Sequence, residues 1–233
     1  MRTATYQARR GQIETYFDRT ASDAWAKLTS DAPVSGIRAT VRAGRDEMRQ
    51  TLLSWLPADL TGKHLLDAGC GTGAFAIEAA RRGGRILAID VSPSLVKIAK
   101  DRSQGVVPDG SITFDVGDML DDRLGIFDHV IAMDSLIHYK PEDVVQSLAT
   151  LAPRIRHSML MTFAPRTVLL AAMHFVGRSF PRGDRAPAIE PVAEHHLKRR
   201  ISAEERLTSW AIGQERRISR GFYTSHAMEL VRK

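Results

Sequence analysis

The segment Leu65-Leu66-Asp67-Ala68-Gly69-Cys70-Gly71-Thr72-Gly73 runs from an apolar stretch into a turn with glycine at every second position. Glycine is needed where the backbone turns with positive φ, or where a ligand comes too close for a Cβ. A helix beginning at such a turn aims its unpaired N–H groups at whatever lies there. The pattern is not a phosphate cradle, because Gly-Lys-Ser/Thr is absent. Nor is it the dinucleotide fingerprint, which has Gly-x-Gly-x-x-Gly where this chain has Gly-x-Gly-x-Gly. Asp67 would repel a pyrophosphate and suits a cationic ligand carrying an amino group. Asp90 ends the next apolar run, where a carboxylate can accept both hydroxyls of a ribose. Further on, Gly117-Asp118-Met119 offers an acid for an adenine amino group and a side chain to cover the ring. Cys70 reads as a small packing residue that meets a ligand through its backbone, not as a nucleophile.

These residues need strands to hold them. After Gly62, short apolar runs alternate with helical stretches: His64 to Ala68, then Ala74 to Arg82; Arg85 to Asp90, then Ser94 to Arg102. Ser111 to Val116, Phe127 to Met133, a helix from Pro141 to Leu151, and His157 to Phe163 continue the series. Such alternation predicts a parallel sheet with helices on both faces. Before it, Ile13, Phe17, Ala21, Trp25 and Leu28 recur at helical spacing, as do Ile37, Val41, Met48, Leu52 and Trp55 after a break near Asp31 to Gly36. Past Phe163 the reading is a helix from Arg166 to Val176, a proline-rich loop from Gly177 to Pro191, and a helix from Ser202 to Ile212. The last of these is opened by a capping-box pattern at Ser202-Ala203-Glu204-Glu205. Two closing strands, Glu215 to Gly221 and Tyr223 to Val231, are joined too tightly to be parallel.

Composition bounds the rest. At 233 residues with 43% hydrophobic and 26% charged residues, the chain suits one globular domain with an appendage. No run reaches the roughly 20 apolar residues that cross a bilayer, and Met1 to Gln12 lacks the apolar core of a secretory signal. The single cysteine excludes an internal disulfide or a multi-cysteine metal site; the expected compartment is cytoplasmic. A net charge of +6 favours an anionic partner, but the basic residues are scattered in pairs and triplets such as Lys198-Arg199-Arg200. His195 and His196 are adjacent, so on a helix they point apart and do not read as a joint metal site.

The order of Asp67 to Gly73, Asp90, Asp118 and Asp128 to His138 over residues 60 to 164 resembles the class I S-adenosylmethionine-dependent methyltransferases. The resemblance implies an α/β, Rossmann-like three-layer sandwich: a seven-stranded, mainly parallel sheet whose last strand is antiparallel, plus an N-terminal helical lid. It implies that Gly69, Gly71 and Gly73 pass beneath the methionine moiety with Asp67 near its ammonium. Asp90, followed by Val91 and Ser92, would hold the ribose, and Asp118 with Met119 the adenine. Cys70, Met133 and Asp134 belong to the same implied cofactor set. The fourth strand ends in Met133-Asp134-Ser135-Leu136-Ile137-His138-Tyr139, without the Asn/Asp-Pro-Pro-Tyr/Phe of nucleic-acid amino methylases. No set of acids and asparagines suits a catechol-type metal site.

Tyr16-Phe17-Asp18-Arg19-Thr20 with Trp25, Ile37-Arg38 to Gly44, Leu136 to Tyr139, Phe163-Ala164-Pro165 through Phe180-Pro181 and Gly221-Phe222-Tyr223-Thr224-Ser225 through Arg232 are similar to the magnesium-protoporphyrin IX O-methyltransferases of (bacterio)chlorophyll biosynthesis. This resemblance implies methyl transfer from S-adenosylmethionine to a propionate of magnesium protoporphyrin IX, leaving S-adenosylhomocysteine and the monomethyl ester. The magnesium would travel with the substrate, and no protein-bound metal is expected. His138 and Tyr16 are the expected catalytic pair, positioning the propionate; Phe17, Trp25 and Tyr139 are the expected contacts to the macrocycle. Expected parts are a lid at 1–60, a cofactor-binding half-sheet at 61–164, a substrate-side cap at 165–200 and closing elements at 201–233. Basic residues of the cap, such as Arg178, Arg182 and Arg185, could pair with the second propionate. Family partners are the large porphyrin-binding subunit of magnesium chelatase and, by peripheral contact, a membrane. On the same fold, another small-molecule N-, O- or C-methyltransferase and an RNA methyltransferase stay open, although no nucleic-acid partner is expected.

Overall fold

The computed structural model describes residues 3–18, 25, 27–29, 33, 36–108, 110–166 and 188–233. The described residues ahead of the sheet include α1 (Ala4–Tyr16) and α2 (Gly36–Ser54). The alternating region is β1 (His64–Ala68), α3 (Ala74–Arg81), β2 (Arg85–Asp90), α4 (Pro93–Ser103), β3 (Ile112–Val116), β4 (Phe127–Ala132), α5 (Pro141–Leu151) and β5 (Ile155–Phe163). It closes with α6 (Glu194–Ala203), β6 (Trp210–Arg220) and β7 (Tyr223–Arg232).

The strands form one seven-stranded sheet in the order β3-β2-β1-β4-β5-β7-β6. The first five are mutually parallel, and β7 is antiparallel to both its neighbours. This is the predicted α/β sandwich. Every residue of β4 is buried, as a strand covered on both faces requires. Its two polar members each find a partner: Asp128 accepts the His64 N–H at 2.8 Å, and His129 Nδ1 shares a 2.8 Å hydrogen bond with the Ser158 hydroxyl, while His129 Nε2 has none among the described residues. Burial holds His129 neutral, its pKa pushed down to about 4.

Two apolar clusters flank the sheet. Met48, Leu52 and Leu53 of α2 join Phe75, Ala76 and Ala79 of α3 against Leu65 and Ile131. On the opposite face Tyr6 and Ile13 of α1, Val144 and Leu148 of α5, and Leu197 and Ile201 of α6 pack against Leu66, Val130 and Met159. Strand order reverses between β1's neighbours β2 and β4, and the crevice at their carboxyl ends is where such sheets bind ligands. Among the described residues, no helix is long and apolar enough to cross a membrane.

Three expectations need correction. The helix predicted from Ser202 to Ile212 is instead α6, which ends at Ala203, followed by one 3-10 turn, Glu205–Leu207. The capping signal is real but short-lived: Glu204 accepts the Arg206 N–H, and then Trp210, Ala211 and Ile212 pair with Arg232, Val231 and Leu230 of β7. Sheet pairing overrides local propensity there. Strand β6 accordingly begins at Trp210, not Glu215. Ile37, assigned to the apolar face of the second helix, is 56% exposed in its first turn. Of the predicted helix from Arg166 to Val176 only Arg166 is described, its N–H donating to the Val192 carbonyl at 2.9 Å; the rest, most of the loop up to Pro191, and Arg178, Arg182 and Arg185 lie outside the described residues.

Candidate active site

At the end of β1 the chain turns sharply through Gly69, Gly71 and Gly73, with φ of 85°, 54° and 79°. The turn is anchored from β2: the Gly69 and Cys70 N–H groups donate to the Ile89 carbonyl at 2.8 and 3.0 Å. Asp90, the last residue of β2, accepts the Gly71 N–H at 2.8 Å on Oδ2 and the Ser92 N–H at 3.0 Å on Oδ1. Ser92 in turn caps α4, taking the Leu95 N–H on its hydroxyl. The acid and the glycine turn are thereby one rigid unit. A Cβ on Gly69 would sit 2.3 Å from the Ser135 Cβ, so this glycine admits the loop after β4. A Cβ on Gly73 would meet Ala99 at 3.0 Å and Phe114 at 3.2 Å, so the packing of α4 and β3 adds to the demand that its φ of 79° already makes for glycine.

A cavity of about 220 Å³ opens over this turn. Its wall contains Asp67, Gly69, Cys70, Gly71, Asp90, Val91, Met119, Met133, Asp134, His138 and Tyr139, with Phe17 and Trp25 from the N-terminal region. Gly73, Ser92 and Asp118 do not line it. Tyr16 is not part of it either; its ring packs edge-on against Phe17 at 5.2 Å. Phe17 continues to Trp25 at 5.5 Å and to the His138 ring at 6.2 Å, so an aromatic row crosses the cleft mouth. His138, in the 3-10 turn Leu136–His138, is 8% exposed, and its Nδ1 lies 3.4 Å from the Ala188 carbonyl.

The electrostatics single out Asp67. It is 2% exposed, and its Oδ2 has no hydrogen-bond partner among the described residues. Burial, then the nearby Asp90 charge, push its carboxyl up to about 7, against a smaller opposing pull from the Ala76 amide. Burial likewise raises Asp90, against the backbone N–H groups that hold it. An orphaned buried carboxylate costs free energy unless a partner arrives. A primary ammonium suits that atom, and Asp90 can still accept from a diol with its remaining lone pairs. Burial and the same two acids push the Cys70 thiol up, so it is no thiolate nucleophile.

Beyond β3, Asp118 Oδ1 accepts the Tyr6 hydroxyl at 2.8 Å and the Leu120 N–H at 2.9 Å. Tyr6 stacks on Tyr139 at 4.8 Å, linking α1 to the β4 loop. On the opposite side Asp134 holds a left-handed φ of 53°, a conformation Asp tolerates better than most residues. Thr162 fixes it reciprocally, accepting the Asp134 N–H at 2.7 Å and donating to Oδ1 at 3.1 Å. The Tyr223 hydroxyl donates at 3.2 Å, and Arg45 closes an ion pair on Oδ2.

Sequence reasoning missed the arginines of α2. Arg42, Arg45 and Arg49 all line the cavity. Their spacing of three and four was legible as one helical face, but the apolar stripe through Val41, Met48 and Leu52 dominated the reading of that helix. Ser135 was also missed; its hydroxyl is buried over Gly69 without a hydrogen-bond partner among the described residues. Away from the cleft, His195 is exposed while His196 accepts from Arg200 at 2.7 Å. Glu194, Glu215 and His226 gather ligand-capable atoms within 4.8 Å, but Lys198 spans the two carboxylates at 2.7 Å each.

A glycine corner flanked by acids after successive strands, on a 3-2-1-4-5-7-6 sheet with antiparallel β7, defines a class I methyltransferase fold. A profile described as "Methyltransferase domain" matches residues 65–157, and one described as "Magnesium-protoporphyrin IX methyltransferase C-terminus" matches residues 132–232. The magnesium-protoporphyrin O-methyltransferase of Rhodobacter capsulatus is 45% identical over 96% of this chain and 97% of its own. The counterpart from Synechocystis is 29% identical over 94% and 95%. A crystal structure of the Synechocystis PCC 6803 magnesium protoporphyrin IX methyltransferase with bound SAH superposes with a TM-score of 0.83 at 28% identity, covering 96% of this chain and 99% of that one. The chain belongs to the magnesium-protoporphyrin O-methyltransferase family.

Proposed function

We propose that this protein transfers a methyl group from S-adenosylmethionine to one propionate of magnesium protoporphyrin IX, releasing S-adenosylhomocysteine and the monomethyl ester. The observation that carries the reading is Asp67, a buried carboxylate with an unpartnered oxygen beside a glycine corner and Asp90. That donor set fits the ammonium, backbone and ribose of the cofactor; family membership supplies the acceptor. When bound, the cofactor provides an electrophilic methyl on a sulfonium.

The remaining chemistry asks little of the protein as a base. A propionate with a pKa of about 4 to 4.5 is already ionised at neutral pH. The chain must strip water from it and aim one oxygen along the methyl–sulfur axis. Opposite charges cancel in this displacement, so an apolar, closed site favours it. Phe17 and Trp25, in the row at the cleft mouth, and Tyr139 are suited to the macrocycle face. His138 is assigned to hold the propionate by a hydrogen bond, with Tyr16 as its partner. Gly69, Gly71 and Gly73 underlie the methionine moiety with Cys70; Asp90, Val91 and Ser92 serve the ribose, Asp118 and Met119 the adenine, and Met133 and Asp134 the β4 side. Residues 1–60 act as the cover, 61–164 as the cofactor half, 165–200 as the substrate-side cap, and 201–233 complete the sheet. Hand-over of substrate from the large subunit of magnesium chelatase and peripheral membrane contact belong to the same proposal, as does a cytoplasmic setting.

The test is incubation with magnesium protoporphyrin and methyl-labelled S-adenosylmethionine. One base-labile label per porphyrin is expected. Label that resists mild base, or no transfer to porphyrin, overturns the reading.

A further inference from the structure

We propose that Arg45 is the receiver of a ligand carboxylate in this cleft, an inference that rests on the methyl-transfer reading above. Both ligands of that reaction carry the group: the cofactor has an α-carboxylate, and the porphyrin retains a second propionate that is not esterified. Neither can enter a poorly solvated cleft without a cationic partner.

Three arginines of α2 line the cavity, and their other contacts separate them. Arg42 is spent on backbone, donating from Nε to the Leu28 carbonyl at 2.9 Å and from Nη2 to the Lys27 carbonyl at 2.8 Å. Arg49 faces two acids, with Nη1 on Asp46 at 2.8 Å and Nε 3.7 Å from Glu78. Arg45 pairs through Nη1 with Asp134, and its guanidinium lies over the Trp25 ring at 4.5 Å. Among the described residues its Nε and Nη2 have no hydrogen-bond partner, and the side chain is 18% exposed. Guanidinium is a fixed planar fork suited to bidentate carboxylate binding. Here Asp134 and Trp25 hold that fork in place, and Asp134 itself is fixed by Thr162 and Tyr223. Pairing with a guanidinium dulls a carboxylate as a nucleophile. Arg45 therefore suits a carboxylate that does not react, in either ligand.

Arg45→Met and Arg45→Lys are compared with the wild type in two ratios. The first is affinity for S-adenosylhomocysteine against 5′-methylthioadenosine, which lacks the amino-acid end. The second is kcat/KM for magnesium protoporphyrin against an analogue with one propionate blocked as an amide. Each ratio is taken on one protein, so partial unfolding cancels, and the lysine variant keeps a cation facing Asp134. Arg45→Met is expected to shrink one of the two ratios by about ten- to a hundredfold, the loss of a charge-assisted hydrogen bond, with Arg45→Lys between. A fall in the first ratio assigns the cofactor carboxylate; a fall in the second assigns the spectator propionate. If both ratios match the wild type, the inference is overturned while the proposed function stands. If the wild type transfers no methyl to porphyrin, the reading beneath it falls and takes the inference along.

Discussion

The Tyr6 hydroxyl donates to Asp118 Oδ1 at 2.8 Å, tying α1 to the acid that follows β3, which is proposed to serve the adenine. Burial, with Tyr139 and Asp118 close by, raises the Tyr6 phenol far above its usual range, so it is always a donor. Tyr6→Phe removes that donor and leaves a buried carboxylate short of a partner. The expected cost is about 1–3 kcal/mol in unfolding free energy, with S-adenosylhomocysteine affinity falling severalfold. Denaturant unfolding and calorimetry on the same variant read both.

If Asp67 holds the cofactor ammonium as proposed, cofactor binding should depend on pH. Its carboxyl is pushed up to about 7, so near neutrality a large fraction is protonated and offers no charge to an ammonium. Affinity should rise about tenfold between pH 6 and 8 and level off above, because only the ionised form binds and each pH unit below the pKa costs tenfold. Binding in this window should release a proton. Asp67→Asn should flatten the profile at the weak limit. Titrations in buffers of differing ionisation enthalpy check it; a flat wild-type profile contradicts the assignment.

Two glycines should respond to alanine in opposite directions. A Cβ at Gly44 in α2 would lie 2.4 Å from the Tyr223 ring, so Gly44→Ala should cost about 1–3 kcal/mol by overpacking. Gly11 lies within α1 with nothing inside 4 Å of an added Cβ. Gly11→Ala should therefore stabilise by about 0.5–1 kcal/mol. Thermal unfolding of the pair is the comparison.

His138→Ala and Tyr16→Phe should each lower turnover by about ten- to a hundredfold, the loss of one hydrogen bond to a charged group, with S-adenosylhomocysteine affinity nearly unchanged. His138 is expected to show the larger loss, since it lines the cavity and Tyr16 does not. Steady-state rates with the porphyrin decide; unchanged rates in both variants would remove these residues from the mechanism.

Much of this is legible in the sequence itself. Asp67, the alternating glycines and Asp90 stand close together in sequence, and the strand–turn–helix geometry they need is local. The parallel order followed from alternation, and antiparallel β7 from the tight Gly221-Phe222 link. What escaped was non-local. Trp210 to Ile212 looks helical until β7 is placed beside it. The Tyr6–Asp118 and Arg45–Asp134 pairs join segments far apart in the chain, and no spacing rule announces them. Gly73 turns with the positive φ expected of it, and the packing of Ala99 and Phe114 against its Cβ position adds a second requirement that no local pattern shows. Ser135, hidden over Gly69, gave no local signal at all.

Calorimetric titration of S-adenosylmethionine into the wild type and Asp90→Ala tests the central assignment most directly. Asp90 both accepts from the sugar in this account and braces Gly71 through its amide. One site per chain is expected in the wild type, weakened at least thirtyfold, about 2 kcal/mol, in the variant. Equal uptake by both proteins, or none by the wild type, would contradict a cofactor seated at the end of β1 and β2.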